Sequence, residues 1–375
     1  MKAIMVGGGT GGHVYPAIAI AEAIQDKILD SQILFVGSEG GIEEKLVPEA
    51  RFSLVTIKAR GMLRKLSYKA ITAPFFAIVG FFDSLKILKT FNPDIIVATG
   101  GFVSLPVVLA AFFLHVPVIL HEGNAIPGLS TRICKWFASC ITIAFESQRK
   151  HFKWRKVYCI GGPVRREIIK TIKGIAIQNI GLRQDQKIIL VLGGSQGARS
   201  INKALIDALA DLSNLNVQII HVSGERDHVW VRDLVKENPH FYHLIPYMYN
   251  IWDGLAAADL VVTRAGATAI SEIIARGLPS ILIPFPYSAE GHQDLNARIL
   301  SDAGAGVIIK DKDLNKETLV SEINRIMKDK ETHSKMSKAS SSLGRPNAAA
   351  DFVNIIINLL GIDLYAKKRK KRIKQ

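Results

Sequence analysis

KAIMVGGGTGGHVYPAIAIAE, residues 2–22, runs from an apolar segment through a glycine-rich turn into an amphipathic segment. Ala3 to Val6 predicts a buried strand, and Gly7, Gly8, Gly9, Gly11 and Gly12 crowd the turn after it. A helix is expected from near Pro16, because a proline suits the first helical turn. Strand, glycine turn and helix together bring bare backbone N–H groups up to a phosphate. His13 adds a titratable imidazole where the turn enters the helix. The positive end of a helix dipole favours its neutral, proton-accepting form. The stretch therefore predicts a phosphate seat with a base beside it.

The same design recurs at Lys187 to Leu209, KIILVLGGSQGARSINKALIDAL, where an apolar strand meets Gly193-Gly194-Ser195-Gln196-Gly197 and then a helix. Between and after these repeats, strands are expected at Gln32–Gly37, Ser53–Ile57, Pro117–Leu120, Val217–His221, Leu260–Thr263 and Pro279–Pro284, and Pro93–Gly101 reads as a strand plus a second Gly-Gly turn. Helices separate them, and a last one covers about Ala348 to Leu360. Alternating strands and helices in two similar halves predict an α/β protein of two doubly wound, Rossmann-like domains facing across a cleft. Ile160-Gly161-Gly162-Pro163-Val164-Arg165 reads as the boundary. The expected domains are 1–162, 163–345, a C-terminal helix at 346–362 and a basic tail at 363–375.

A chain of 375 residues, 48% hydrophobic, accommodates two such cores. Its three cysteines, Cys134, Cys140 and Cys159, lack metal-ligand spacing and suit a reducing compartment. Met1-Lys2 leads straight into a strand, without a secretory pattern. The net charge of +15 fits anionic small molecules, nucleic acid or a membrane. Zinc-finger spacing and aromatic RNA-binding signatures are lacking, so nucleic acid is not expected. The positive charge gathers at Lys58–Lys89, notably Arg60, Arg64, Lys65, Lys69, Lys86 and Lys89, and in the tail Lys367–Arg372. The apolar centre of the first cluster, Ile71–Phe82, is too short to span a bilayer. It reads either as two helices covering a sheet or as an interfacial amphipathic segment. Phe102–Leu120 is more hydropathic, but Pro106 and Pro117 punctuate it into helix then strand.

Gly7-x-Gly9-x-x-Gly12, with Glu39 past the second strand, also fits a dinucleotide fingerprint and hence a dehydrogenase. The second glycine-loop half argues against that, since a dehydrogenase needs one cofactor half. His121 and Glu122 lie at a strand's carboxyl end as an acid/base pair or as strand caps, and Asn124 follows as an amide for a sugar. Arg165 could clamp an anion. Ser195 and Gln196 offer side-chain donors, Glu272 could hold ribose hydroxyls, and Gln293 with Asn296 could read hydroxyls. No residue cluster suggests a metal site, and no cofactor is expected.

In order, GGGTGGHVYPAIAIAEAI, ATGGFVS, HEGNAIPG, GGPVR, GGSQGA, TRAGATAISE and GHQDLNA resemble the MurG family of N-acetylglucosaminyltransferases. The match runs from Gly7 to Ala297, nearly the whole chain. The resemblance implies a GT-B fold with the C-terminal helix packed back on the N-terminal domain. It also implies inverting transfer from UDP-N-acetylglucosamine to the C4 hydroxyl of lipid I, forming lipid II. It implies peripheral attachment to the cytoplasmic face of the bacterial inner membrane, with cell-wall and division proteins as further partners. For the donor it implies Arg165, Ser195, the backbone near Met248, the run Ala267, Thr268, Ala269, Ile270, Ser271 and Glu272, then Gln293, with Asn124 reaching the donor from the N-terminal half. For the acceptor pyrophosphate it implies Thr10, Gly11 and Gly12 together with Gly100 and Gly101. His13 is the expected base and Glu122 the second candidate. Gly123 stands where the family has Gln, Gly162 where Asn is common, and Phe102 where Tyr is frequent. His292-Gln293 replaces a double glutamine. These changes bear on local sugar or acceptor contacts, and the tail is not part of the family pattern. The competing expectations are a related transferase with another acceptor and a sugar-nucleotide-binding protein without turnover.

Overall fold

A computed structural model describes residues 1–59, 68–194, 197–235 and 239–363, with the side chains of 68–75 outside the description. Arg60, Arg64, Lys65, the Lys69 side chain, Ser195, Gln196 and the basic tail therefore lie outside the described residues. The chain divides into two compact units. The first comprises Met1–Gly123, Pro127–Arg165 and the chain from Asn347; the second comprises Asn124–Ile126 and Arg166–Pro346.

In the first unit the elements are β1 Lys2–Val6, α1 Gly11–Lys27, β2 Gln32–Ser38, α2 Glu43–Glu49, β3 Ser53–Ile57, α3 Tyr68–Phe91 and β4 Ile95–Ala98. There follow α4 Ser104–Phe113, β5 Val118–Glu122, α5 Leu129–Cys134, β6 Cys140–Ile143 and β7 Val157–Cys159. All strand pairs are parallel, in the order β3-β2-β1-β4-β5-β6-β7. Alternation along β1 explains the two cores. Ala3 and Met5 pack on one face with α1 residues such as Ile20. Ile4 and Val6 pack on the other with Val107 and Ala111 of α4.

The second unit begins with α6 Arg166–Lys170 and α7 Lys173–Ile180. It continues with β8 Lys187–Leu192, α8 Arg199–Leu212, β9 Val217–Val222, α9 His228–Leu234, β10 Tyr242–Ile245 and α10 Ile251–Ala257. Then come β11 Leu260–Thr263, α11 Ala267–Arg276, β12 Ser280–Leu282, α12 His292–Asp302, β13 Gly306–Ile308, α13 Lys316–Lys328 and α14 Lys330–Leu343. Its sheet is also parallel, ordered β10-β9-β8-β11-β12-β13. The last helix, α15 Ala348–Leu360, returns to the first unit. Phe352, Val353 and Ile356 join the α1 core, and the Lys27 ammonium meets the Asn354 amide oxygen. Burying each such apolar side chain is worth about 1.5–3 kcal/mol.

Several expectations shift. Helix α1 starts at Gly11, so Pro16 lies inside it. The Thr10 carbonyl already accepts from the N–H groups of His13 and Val14, which closes the first turn within the glycine segment. One helix, α3, occupies Tyr68–Phe91 where two were expected. The division between units falls after Arg165, not at Gly162, so Arg165 belongs with the N-terminal unit. Among the described residues no helix is long and apolar enough to cross a membrane.

Each unit buries one neutral histidine. His121 Nδ1 lies 3.0 Å from Thr142 Oγ1, whose hydroxyl donates to the Leu120 carbonyl, and burial holds its pKa down to about 3. In the second unit His221 bridges the Tyr242 hydroxyl (2.6 Å) and the Asn202 side chain (3.0 Å), and burial again holds its pKa down to about 3. The unfolded chain protonates both near the ordinary value of 6.5. Stability is therefore full above that value and is lost as pH falls from about 6.5 toward 3. At pH 5 each histidine should cost about 2 kcal/mol. Urea midpoints measured from pH 7.5 to 5 should fall, and His121→Gln or His221→Gln should flatten the slope. Parallel slopes in wild type and variants would contradict this.

Candidate active site

In both sheets the strand order reverses beside the first strand, between β1 and β4 and between β8 and β11. Ligands of doubly wound sheets bind outside the carboxyl ends of the strands at such a point. Both glycine turns sit there, each leading into a helix. The N-caps of α1, α8 and α11 are Thr10, Ala198 and Gly266, and none makes a side-chain capping bond. All three helix starts therefore lack a capping side chain, and each has a positive dipole end.

In the first unit the turn after β1 interlocks with the turn after β4. The Gly8 N–H reaches the Gly100 carbonyl at 3.4 Å. Thr99 brackets His13 twice. Its hydroxyl donates to the His13 carbonyl at 2.7 Å, and its carbonyl lies 2.9 Å from His13 Nδ1. A carbonyl only accepts, so Nδ1 carries a proton, and Nε2 is the lone-pair nitrogen whenever the ring is neutral. Gly100 and Gly101 have φ of +105° and +85°. A Cβ on Gly100 would come within 2.7 Å of the His13 ring, and one on Gly101 within 2.2 Å of the Gly8 carbonyl oxygen. Only glycine permits that approach.

The other acidic candidate behaves differently. His121 and Glu122 are consecutive on β5, so their side chains point to opposite faces of the sheet and do not pair. His121 faces Phe352 of α15. Glu122 is buried, and its Oε2 accepts from the Gly128 N–H at 3.3 Å, which holds the loop after β5. Arg165 is buried with its guanidinium 4.2 Å from the centre of the Tyr15 ring on α1. Tyr15 in turn lies against Gly11, 3.2 Å from where a Cβ would stand. A cation thus sits beside the first glycine turn.

In the second unit, Gly197 has φ +76°, and a Cβ there would lie 2.4 Å from the Ser223 carbonyl oxygen. Asn202 of α8 bonds that same carbonyl at 2.9 Å and links it to the buried His221–Tyr242 pair. This network floors the glycine turn. Within Ala267, Thr268, Ala269, Ile270, Ser271 and Glu272, the first three residues make the opening turn of α11, and the Ser271 hydroxyl donates back to the Ala267 carbonyl at 2.9 Å. Glu272 lies on the next turn and is buried. Met248 packs its sulfur against Gly254 of α10.

Gln293 Oε1 accepts from the Phe285 N–H at 2.9 Å, folding the loop after β12. Asn296 is fully buried. Its Oδ1 accepts from Ala125 N–H at 2.8 Å, and its Nδ2 donates to the Ala265 carbonyl at 3.1 Å and to Asn124 Oδ1 at 3.4 Å. It therefore anchors the Asn124–Ile126 segment rather than reading hydroxyls, a correction to its expected role.

Three residues carry the site without having been singled out in the sequence. Thr99 fixes the His13 tautomer. Glu43 binds the first turn. Arg264 follows β11, donates to the carbonyls of Ile283 and Pro284 at 3.1 and 3.3 Å, and pairs with Asp311 and Ser200. The available signal for Arg264 was a cation directly after an apolar strand, LVVT.

Residues 3–143 match the glycosyltransferase family 28 N-terminal domain, and residues 188–352 match its C-terminal domain. A relative from Desulforamulus reducens is 40% identical over 96% of this chain and 99% of its own. One from Halothermothrix orenii is 41% identical over 95% and 98%. Both are described as UDP-N-acetylglucosamine–N-acetylmuramyl-(pentapeptide) pyrophosphoryl-undecaprenol N-acetylglucosamine transferase. The crystal structure of Acinetobacter baumannii MurG superposes with a TM-score of 0.74 at 26% identity, covering 95% of this chain and 99% of that one. A UDP-GlcNAc 2-epimerase from Neisseria meningitidis shares the fold alone, with a TM-score of 0.69 at 16% identity over 96% of this chain and 100% of that one.

Proposed function

Because the chain belongs to glycosyltransferase family 28, we propose that it transfers N-acetylglucosamine from UDP-N-acetylglucosamine to the C4 hydroxyl of lipid I, forming lipid II with inversion. The observation that carries the chemistry is the His13–Thr99 bond, which makes Nδ1 the donor and so leaves Nε2 as the candidate base beside a phosphate turn.

The acceptor pyrophosphate rests on the helix side of the first turn, at Thr10, Gly11 and Gly12, supported by Gly100 and Gly101. His13 Nε2 takes the proton from the C4 hydroxyl as its oxygen bonds to the anomeric carbon. The bond from that carbon to the UDP oxygen breaks on the opposite face, so the configuration inverts. General-base assistance of this kind is worth about 10²–10⁴-fold. Negative charge then grows on the UDP diphosphate. The α11 start at Ala267–Ala269 meets it with backbone donors, and Arg165 adds positive charge. Glu272 holds ribose hydroxyls, the backbone at Met248 meets uracil, and Gln293 and Asn124 meet the sugar. Ser195 adds a donor hydroxyl at the second turn. Glu122 acts indirectly by fixing the loop that leads from Asn124 to Gly128. Arg264 ties the ends of β11 and β12 to the start of α8, which keeps the donor turn in register. The dehydrogenase expectation lapses with the family assignment.

The membrane face of the reading rests on α3, α4, α5 and the turn that follows α5. Their aromatic side chains form a continuous line: Phe82 to Phe81 (5.5 Å), Phe81 to Phe113 (5.5 Å), Phe113 to Phe112 (6.1 Å) and Phe112 to Phe137 (5.1 Å). Phe113 and Trp136 remain 64% and 59% exposed. Lys86, Lys89 and Arg132 are exposed on the same helices, and Lys135 lies over the Trp136 ring. Aromatic side chains with a basic rim suit an anionic bilayer surface, here the cytoplasmic leaflet. Cell-wall and division proteins would meet the enzyme at that surface.

The decisive assay is transfer of radiolabelled sugar from UDP-N-acetylglucosamine to lipid I. Absence of transfer, with donor bound, would overturn the reading. For the membrane, Phe113→Ser with Trp136→Ser should reduce flotation on anionic liposomes by about tenfold or more. Unchanged flotation would remove this face from the proposal.

A further inference from the structure

The side chain that shapes the first glycine turn is a buried carboxylate from another element. Glu43 opens α2 and is 1% exposed. Its Oε1 accepts from the Ser38 N–H at 3.0 Å and from the Ser38 hydroxyl at 2.9 Å. Its Oε2 accepts from the Gly9 N–H at 3.2 Å. Three glycines make room for it. A Cβ on Gly8 would lie 2.1 Å from Oε1, one on Gly41 would lie 2.4 Å from Oε2, and one on Gly37 would lie 3.0 Å from the Glu43 Cβ.

A buried carboxylate is costly unless its oxygens are well supplied with donors. Placing one beneath a turn meant for an anion needs a reason. The bonds supply it. The Gly9 N–H turns inward to Glu43, and the Gly8 N–H turns to the Gly100 carbonyl. Both amides are thus used to hold the turn, and Gly9 is kept at φ +83°. The ligand-facing part of the turn is thereby confined to the start of α1. These internal bonds hold the loop in shape, which lowers the ordering cost of binding an anion there.

We propose that Glu43 is a positioning residue that presets the first glycine turn for the pyrophosphate of the acceptor. The inference rests on the assignment of that turn to the acceptor. Glu43→Gln keeps the shape and an acceptor oxygen for Ser38, but it sets an amide NH2 against the Gly9 N–H. The KM for the lipid-linked acceptor should rise about tenfold. The KM for UDP-N-acetylglucosamine should stay within about twofold, because the donor turn belongs to the other unit. Ser38→Ala removes one donor from Oε1 and leaves the Gly9 bond, so both KM values should stay within about twofold.

Glu43→Asp retains the charge but falls a methylene short of Gly9. It should also raise the acceptor KM selectively, which keeps the test available if the glutamine variant does not fold. An unchanged acceptor KM in both Glu43 variants overturns the proposal. So does an equal rise in donor KM, or an equal effect of Ser38→Ala, since either would mean general loosening. A wild-type enzyme that uses no pyrophosphate-linked acceptor overturns the functional reading and the acceptor role of Glu43 with it. A wild type that transfers normally beside an unaltered Glu43→Gln overturns Glu43 alone.

Discussion

Replacing His13 by alanine is expected to lower kcat by about 10²–10⁴-fold while donor affinity stays close to wild type. The expectation follows from which nitrogen is committed. Thr99 offers His13 Nδ1 a carbonyl at 2.9 Å, so Nδ1 is the donor and Nε2 is the acceptor nitrogen of the neutral imidazole. Alanine removes the acceptor for the sugar hydroxyl's proton. It leaves intact the α11 start and the α8 turn, which lie in the other unit and to which the proposed function assigns the donor. Turnover and UDP affinity should be measured separately, the second by calorimetry. Near-normal turnover would remove His13 from the mechanism. Loss of UDP binding with unchanged single-turnover chemistry would make it a binding residue. His13→Gln separates the roles further, since its amide restores a hydrogen bond to Thr99 but accepts no proton.

The fold was legible wherever a strand ran into a glycine turn. β1 and β8 each carry four or more apolar residues and then glycine, β11 carries three and meets glycine at Gly266, and parallel strands buried on both faces read as continuous apolar runs. The strands that sequence reading passed over are short. β6 is CITI, β7 is VYC, β10 is YHLI and β13 is GVI, and β7, β10 and β13 lie at the outer edges of their sheets. Three or four residues carry no period, and what makes them strands is the neighbour already in place. The site divides in the same way. His13 could be found because it directly follows a glycine run. Its partner Thr99 could not, because a backbone carbonyl acts at a distance of 86 residues and leaves no mark in composition. Asn296 shows the reverse error. An amide near the start of a helix looks like a ligand contact, and only its complete burial and its three protein partners reveal a brace. Side chains that bind ligands and side chains that hold loops share one chemistry, and burial is what separates them.

That dependence of the base on a remote turn makes Gly100→Ala the sharper experiment, because it touches no reacting atom. A methyl group at this position would stand 2.7 Å from both Cε1 and Nδ1 of His13, well inside contact distance. The φ of +105° adds strain of about 1–3 kcal/mol for any residue with a Cβ. Two relaxations are open. The turn can shift, which disturbs the Gly8–Gly100 bond, or the imidazole can rotate away from the Thr99 carbonyl. The ring is the softer element, since a side-chain torsion costs less than a backbone displacement. Turnover should therefore fall by about 10²-fold, the usual loss for a catalytic group displaced by about 1 Å. The double variant Gly100→Ala/His13→Ala tests the cause. If the glycine acts through the imidazole, the second substitution adds almost nothing to His13→Ala alone, because the group it would misplace is already gone. If the losses multiply instead, Gly100 serves the acceptor pyrophosphate directly, and the acceptor KM of the single variant should carry most of its effect. Equal melting temperatures for the two single variants would confirm that the comparison concerns the site and not folding.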